Sequence, residues 1–171
     1  MRIKEIKLYH FSELSDSAKD NAVSHLSDIN TDSDFWFDSI TDEAKELGLH
    51  ITEWDLYRRS IKGSFTKPEE DVAKDIKLNH GNSCETYKTA VDYLKTLEEL
   101  RKHDNDNKDL QDELDDEPDT ESIDEEFLYS LLQDYLHMLQ SEYDYATSRE
   151  AIIETIEANE YEFTEEGELD S

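Results

Sequence analysis

The chain has 171 residues and carries 46 Asp and Glu against 17 Lys and Arg, a formal net charge of −29. This charge excludes a general nucleic-acid binder, which needs a basic surface to neutralise phosphates, and it argues against docking on anionic lipid. We therefore expect basic surfaces or cations as partners, with no direct nucleic-acid or membrane contact.

The composition is that of a folded chain with a small core. Hydrophobic residues make up 35% and the mean hydropathy is −0.90, which approaches the range of disordered proteins. Aromatic residues nevertheless reach 10%, and the chain has only 4 glycines and 2 prolines. The aromatic content favours a folded domain.

The single cysteine, Cys84, permits no internal disulfide and no cysteine-based zinc site, and it fits a reducing compartment. The first ten residues lack the continuous apolar run of a signal peptide, and no segment approaches 18 apolar residues. We therefore expect a cytoplasmic protein.

The predicted elements begin with a strand over residues 3–11, where apolar residues roughly alternate with polar ones. A helix follows with Ser15 as its N-cap and with apolar residues at helical spacing. A second helix carries Trp36 and ends at Gly48, a residue type that favours the left-handed conformation just beyond a helix.

The middle of the chain begins with a predicted β-hairpin. Apolar and polar residues alternate within residues 49–57 and 60–66, and two arginines lie between these ranges, as expected for the strands and turn of a hairpin. Pro68 then opens a short helix, and a longer helix with one apolar stripe follows it.

Residues 104–120 differ from the rest because nine of these 17 residues are acidic and Pro118 interrupts any continuous helix. We expect an acidic, mobile loop there. Beyond it, the clearest helical pattern starts at Ile123, and Ser148 caps a last helix. Residues 161–163 alternate as a final strand.

This order of elements predicts an α+β fold in which a small antiparallel sheet of about four strands packs with five or six helices. We divide the chain into an α+β core over residues 1–103, the acidic mobile loop over 104–120, and a final segment over 121–171. The final segment is a helical hairpin with a last strand, and it completes the same domain as the core.

The excess charge is concentrated near one end of the chain. Residues 1–60 have a net charge of −6, residues 61–102 are neutral, and residues 103–171 carry 25 acids and two bases, a net charge of −23. Because self-repulsion on this scale destabilises a compact state, the concentration indicates a function.

Spacing places many of these acids in rows. Helical periodicity puts Glu150, Glu154 and Glu157 on one face, and a strand would put Glu160 and Glu162 on one face. Such rows approach the charge density of a phosphate strand, with one charge about every 3.4 Å. The alternative is that they are the solvated faces of ordinary amphipathic elements. The predicted partner-binding acids are Glu150, Glu154, Glu157, Glu160, Glu162, Glu165, Glu166, Asp115, Asp116 and Glu117.

An aromatic patch is the alternative interface. Phe35, Trp36 and Phe37 cannot all face one core from a helix, so one ring should be exposed, and Trp54 is a further candidate. The competing interpretation makes Trp36 a core anchor.

No motif names a reaction, so we predict no enzyme, no catalytic residues, no metal and no cofactor. Asp32, Asp34, Glu43 and Lys45 only loosely match a metal-dependent nuclease, because the latter two fall on a predicted helix rather than on adjacent strands. Residues 28–39 have alternating oxygen ligands but lack the glycine and the bidentate glutamate of a calcium loop.

Several segments carry a resemblance: FSELSDSAK at 11–19, DFWFD at 34–38, AKELGL at 44–49 and AIIETIEANEYEF at 151–163. With them the chain resembles a group of small, acidic, uncharacterised proteins of bacteriophages and mobile elements, over most of its length apart from the acidic loop. The resemblance implies an infected bacterial cell as the setting and supplies no catalytic residues. Small acidic phage proteins are also similar in charge to DNA-mimic inhibitors of restriction and CRISPR systems.

From these observations we predict a non-enzymatic, phage-encoded anti-defence inhibitor that acts in the cytoplasm of an infected bacterial host. It would bind a basic, nucleic-acid-handling surface of a bacterial defence protein or complex by mimicking the charge of DNA or RNA. The alternative is an interaction module that binds a partner through the aromatic patch. The sequence leaves open the identity of the target and whether the chain forms a homodimer.

Overall fold

The computed structural model describes residues 7–106 and 120–170. In these ranges six helices and four strands follow one another along the chain, with short 3-10 turns at Phe11–Glu13 and Asp34–Phe37. The elements are β1 (Tyr9–His10), α1 (Asp16–His25), α2 (Asp38–Glu46), β2 (Leu49–Asp55), β3 (Ser60–Phe65), α3 (Glu69–Asn79), α4 (Glu85–Asp106), α5 (Thr120–Ala146), α6 (Arg149–Ala158) and β4 (Glu162–Phe163).

The predicted α+β class is confirmed, but the prediction of one sheet is wrong. The described strands form two antiparallel pairs, β1 with β4 and β2 with β3. The other edge of β4 is occupied because the chain folds back upon it. Phe163 bridges Leu169, and the Asp170 amide donates to the Glu162 carbonyl. Among the described residues, each sheet therefore has two strands.

The chain divides into two compact units. The first unit comprises residues 1–38 and 141–171, and the second comprises residues 39–140. The described ends of the range predicted as an acidic loop, 104–120, are helical, because α5 begins at Thr120. Helix α4 continues through Asp106, inside that range, and residues 107–119 lie outside the described residues.

The core of the first unit joins the two distant stretches of chain. The Phe11 and Phe163 rings meet edge to face with centroids 6.2 Å apart, and the apolar face of α1 packs with that of α6. Ser15 and Ser148 cap these two helices as predicted, because their hydroxyls accept from the backbone amides three residues later. The buried residues of this core are Phe11, Leu14, Ala18, Ala22, Val23, Ile152, Ile156 and Phe163.

The C-terminal turn of the first unit lies directly against α1. Gly167 adopts φ +84°, and a Cβ placed on it would approach the Ala18 carbonyl oxygen to 2.1 Å. The Asn21 side-chain amide donates to the Glu166 carbonyl at 3.1 Å. Close packing at a residue without a side chain therefore holds the last turn against the helix.

The second unit packs its helices around α5. Leu131, Tyr135 and Leu139 of this helix are fully buried, which follows its predicted apolar stripe. The Phe127 ring stacks between Phe65 of the hairpin and Tyr93 of α4, with centroids 5.3 and 4.1 Å apart. These contacts attach the β2–β3 hairpin and α4 to the same helix.

A polar network links four helices of the second unit. The His80 imidazole, at the end of α3, lies 2.8 Å from the Glu43 carboxylate through Nε2 and 2.7 Å from the Thr86 hydroxyl through Nδ1. The Tyr135 hydroxyl reaches the same Glu43 oxygen at 3.4 Å. Thr86 is the buried polar residue of the described part, and its partner satisfies the hydrogen bond that burial requires.

Most cations of the second unit are paired with nearby acids. Residues 39–102 contain 13 acids and 11 bases, and eight of these bases form ion pairs. Glu70 receives both Arg101 and Lys74, at 2.6 and 2.9 Å. Hydrogen bonds from these two cations lower the pKa of Glu70 to about 2.

None of the helices in the described ranges has the length and apolar character needed to cross a membrane.

We expect Gly167→Ala to destabilise the protein by about 2 kcal/mol or more, because the new Cβ meets the Ala18 carbonyl in a backbone conformation unfavourable for alanine. Gly81→Ala is the matched control, since its nearest neighbour would be the Ser83 hydroxyl at 3.9 Å. Urea denaturation should show the control within about 0.5 kcal/mol of the wild type. Equal losses in both variants would contradict the close packing at Gly167.

Glu70 should stabilise the folded state in a pH-dependent way. Its folded pKa of about 2 lies below the ordinary value of 4.5, so the unfolded chain takes up this proton first as the pH falls. The stabilisation is complete above pH 4.5 and is lost as the pH falls towards 2. Denaturation should be measured for Glu70→Gln and the wild type at several pH values. The variant should have the lower free energy of unfolding above pH 4.5, and this difference should shrink as the pH falls towards 2. Glu99→Gln, which removes a looser exposed pair at 3.9 Å from Lys95, should leave the pH profile close to that of the wild type.

Candidate functional site

The acidic row on α6 forms as predicted. Ala151, Ile152 and Ile156 are buried on one side of the helix, while Glu150, Glu154 and Glu157 are exposed on the other. Side chains at these spacings stand about 5–6 Å apart on a helix surface. The Ser148 cap and the isoleucine contacts fix this helix, so the three carboxylates project from a rigid support.

The predicted continuation of this row along a strand is wrong. Glu160 is not part of β4 but stands just beyond α6 with φ +53°. Its amide donates to the Glu157 carbonyl, and the Tyr161 amide donates to the Ile156 carbonyl. This is the pattern in which a left-handed residue ends a helix, a position that usually holds glycine. Glu160 and Glu162 are both exposed, but they do not share a strand face.

The remaining C-terminal acids lie in the turn that packs against α1. Glu165 and Glu166 are exposed between Thr164 and Gly167, where the Gly167 amide donates to the Thr164 carbonyl. Asp115, Asp116 and Glu117, the other predicted contacts, lie outside the described residues.

The structure adds acids of α1 to this surface, which sequence spacing did not indicate. Asp16 and Asp20 are exposed on α1, the helix that packs with α6 in the first unit. Asp20 binds Arg149, the first residue of α6, at 2.8 Å. No local pattern could have joined them, because more than 120 residues separate α1 from α6 in the sequence.

The first unit has very few cations for its acids. Its described residues, 7–38 and 141–170, contain 18 Asp and Glu and three Lys and Arg. Of the three, Arg149 is paired with Asp20, and Lys19 lies over the Phe11 ring with its nitrogen 5.9 Å from the centroid. The negative charge of this unit is therefore mostly uncompensated within it, in contrast to residues 39–102.

An exposed aromatic cluster belongs to the same unit. Phe35 is 78% exposed, which confirms that one of the three adjacent rings faces solvent. Trp36 is half-buried and contacts Phe37 edge to face at 5.3 Å and Tyr143 at 5.7 Å. Tyr143, near the end of α5, was not among the predicted aromatic residues, because more than 100 residues separate it from Trp36 in the sequence.

Trp54 does not belong to this cluster. It lies on β2 of the second unit, half-buried and paired in register with Ile61. The predicted patch of four aromatic residues therefore reduces, within one unit, to Phe35, Trp36 and Phe37.

The two weak metal motifs do not gain ligands in the structure. Within the described ranges no three His, Cys, Asp or Glu side chains are grouped so as to hold a metal ion. Glu43, one of the three carboxylates of the nuclease-like pattern, is instead bound to His80 and lies on α2, while Lys45 of the same helix is exposed.

Comparison of the chain with protein-family models, with curated proteins and with solved structures finds no match. The charges and aromatic rings of the surface are therefore the features that indicate a function.

Proposed function

We propose that the protein is an inhibitor that binds a basic, nucleic-acid-handling surface by presenting carboxylates in place of phosphates. The observation that carries this proposal is the charge of the first unit, with 18 acids against three bases in its described residues. Lys and Arg of a partner would supply the missing cations.

The arrangement of these acids supports recognition of a surface that normally holds nucleic acid. The α6 carboxylates recur at about 5–6 Å on a helix held by a packed core. The backbone of this helix does not have to be ordered on binding, and a strong negative field accelerates encounter with a basic partner. Such binding blocks the partner's own ligand without any turnover, so no catalytic residue is needed.

The resemblance to acidic proteins of phages and mobile elements supports the biological setting of the proposal. In that setting the target is a bacterial defence protein or complex, and the inhibitor acts in the cytoplasm of the infected cell. Defence nucleases hold DNA or RNA on basic surfaces, which this acidic unit complements in charge.

A second candidate function uses the aromatic cluster of the first unit. Phe35 is 78% exposed and precedes Trp36, whose ring contacts Tyr143. Aromatic side chains commonly dominate binding energy at protein interfaces. In this case the partner is held mainly by apolar contact, and the acids serve solubility.

The triple reversal Glu150→Lys, Glu154→Lys and Glu157→Lys should weaken partner binding by about 100-fold or more, because each change replaces an attraction with a repulsion. The assay is capture from a defence-bearing bacterial lysate, followed by elution with salt or with a short nucleic-acid duplex. The wild type should capture proteins that elute with both.

The matched control reverses three exposed acids of the second unit, Asp42, Asp92 and Glu125, to lysine. It changes the net charge equally and should leave capture close to that of the wild type. Equal capture by the α6 variant and the wild type, or captured proteins that a duplex does not displace, would refute charge mimicry.

Phe35→Ala separates the two candidate functions. If the aromatic cluster is the interface, this change should cost about 2 kcal/mol of binding energy, and affinity should be nearly independent of salt. Under charge mimicry, affinity should fall steeply with salt and Phe35→Ala should cost less than about 1 kcal/mol. Tyr57→Ala is the control, because Tyr57 is 97% exposed and lies in the second unit.

A further inference from the structure

The second unit contains a cleft that neither candidate function uses. Its volume is about 770 Å³, within the range of sites that hold small molecules. Residues of α2, of the α3–α4 junction and of α5 form its walls, and all of them belong to the second unit.

One wall of this cleft is held rigid by the polar network. His80 is only 11% exposed, and both of its ring nitrogens are engaged, by Glu43 and by Thr86. Glu43 also accepts from Tyr135 at 3.4 Å. Because the side chains of the wall are already positioned, a ligand would not have to order them on binding.

The charge of the lining is one-sided. Five carboxylates line the cleft, and the lining includes no Lys or Arg from the described part of the chain. Three of the five already have partners: Glu43 binds His80, Asp75 binds Lys67, and Glu85 binds Lys88.

Two carboxylates remain for a ligand, Glu46 of α2 and Asp134 of α5. Within the described residues, neither forms an ion pair with a basic side chain. Asp134 accepts one hydrogen bond, from the Thr89 hydroxyl at 2.7 Å. Partial burial is the main cause that raises the pKa of Asp134, and repulsion from Glu85 adds to it, while the Thr89 hydrogen bond and the nearby His137 and Lys88 act in the opposite direction.

Apolar surface accompanies these charges. Leu47 is buried at the end of the α2 wall, and Met138 is half-buried on the α5 wall. The thioether of methionine adapts to ligands of different shape. The cleft thus offers carboxylates and an adaptable apolar wall in one cavity.

We propose that this cleft binds an alkylammonium group, with Glu46 and Asp134 receiving the cation and Leu47 and Met138 contacting its alkyl chain. The group is carried either by a free amine or by a lysine side chain. A simple carboxylate or a neutral alcohol of the same length lacks the charge that the lining demands. This proposal does not depend on the function of the first unit, because its residues all lie in the second.

The test follows the methyl resonance of Met138 in the intact chain labelled with [methyl-13C]methionine. The sequence has two methionines, so the spectrum contains one cleft signal and one from Met1. Hexylamine, hexanoate and a capped lysine are titrated at about 0.15 M salt, where loosely held cations are screened. Hexylamine should shift the Met138 signal saturably, and hexanoate should not. Tighter binding of the capped lysine than of hexylamine would indicate a lysine side chain as the natural group.

The double variant Glu46→Gln and Asp134→Asn should weaken hexylamine binding about tenfold or more, because two charge-assisted contacts are lost. The control, Glu168→Gln with Asp170→Asn, removes the same charge from the first unit and should bind hexylamine as the wild type does. A shift that fails to saturate, hexanoate binding equal to that of hexylamine, or unchanged affinity in the double variant would overturn the proposal. If the double variant is unfolded at the temperature of the assay, the proposal is tested by Glu46→Gln alone and by the comparison of hexylamine with hexanoate.

Discussion

The need to keep carboxylates in water is the constraint on which the rest of this structure depends. No Asp or Glu is buried among the described side chains, because an uncompensated charge in the protein interior costs far more than a small core provides. Each helix therefore buries one narrow stripe and exposes acids on its other sides. Most Lys and Arg lie in residues 39–102, where they pair with neighbouring acids. The first unit has few cations and remains strongly negative.

Features of the fold that arise from neighbouring residues could be predicted from the sequence. The caps at Ser15 and Ser148, the terminator Gly48 and the hairpin around two arginines each depend on a few adjacent positions. The separate pairing of β1 with β4 could not be predicted, because it depends on contacts across the chain. Tyr9 lies opposite Phe163, and the turn that follows β4 occupies its other edge.

The same distinction applies to the candidate sites. The exposed row on α6 follows from helical periodicity, and so does its buried isoleucine face. Glu160 departs from the expected strand because the end of α6 requires a left-handed residue at that position. The cleft in the second unit was not predicted from the sequence. Glu43, His80 and Thr86 come from three helices, and only the folded unit brings an imidazole between a carboxylate and a hydroxyl.

The edge-to-face contact of Phe11 with Phe163 has a consequence for the order of folding during synthesis. The two halves of the first unit's core are separated by the second unit, residues 39–140. At about 5–20 residues per second, the ribosome needs roughly 5–20 s to make this intervening stretch. The N-terminal half of this core therefore cannot pack until residues 141–171 have been made. The second unit is continuous in sequence and can fold before then.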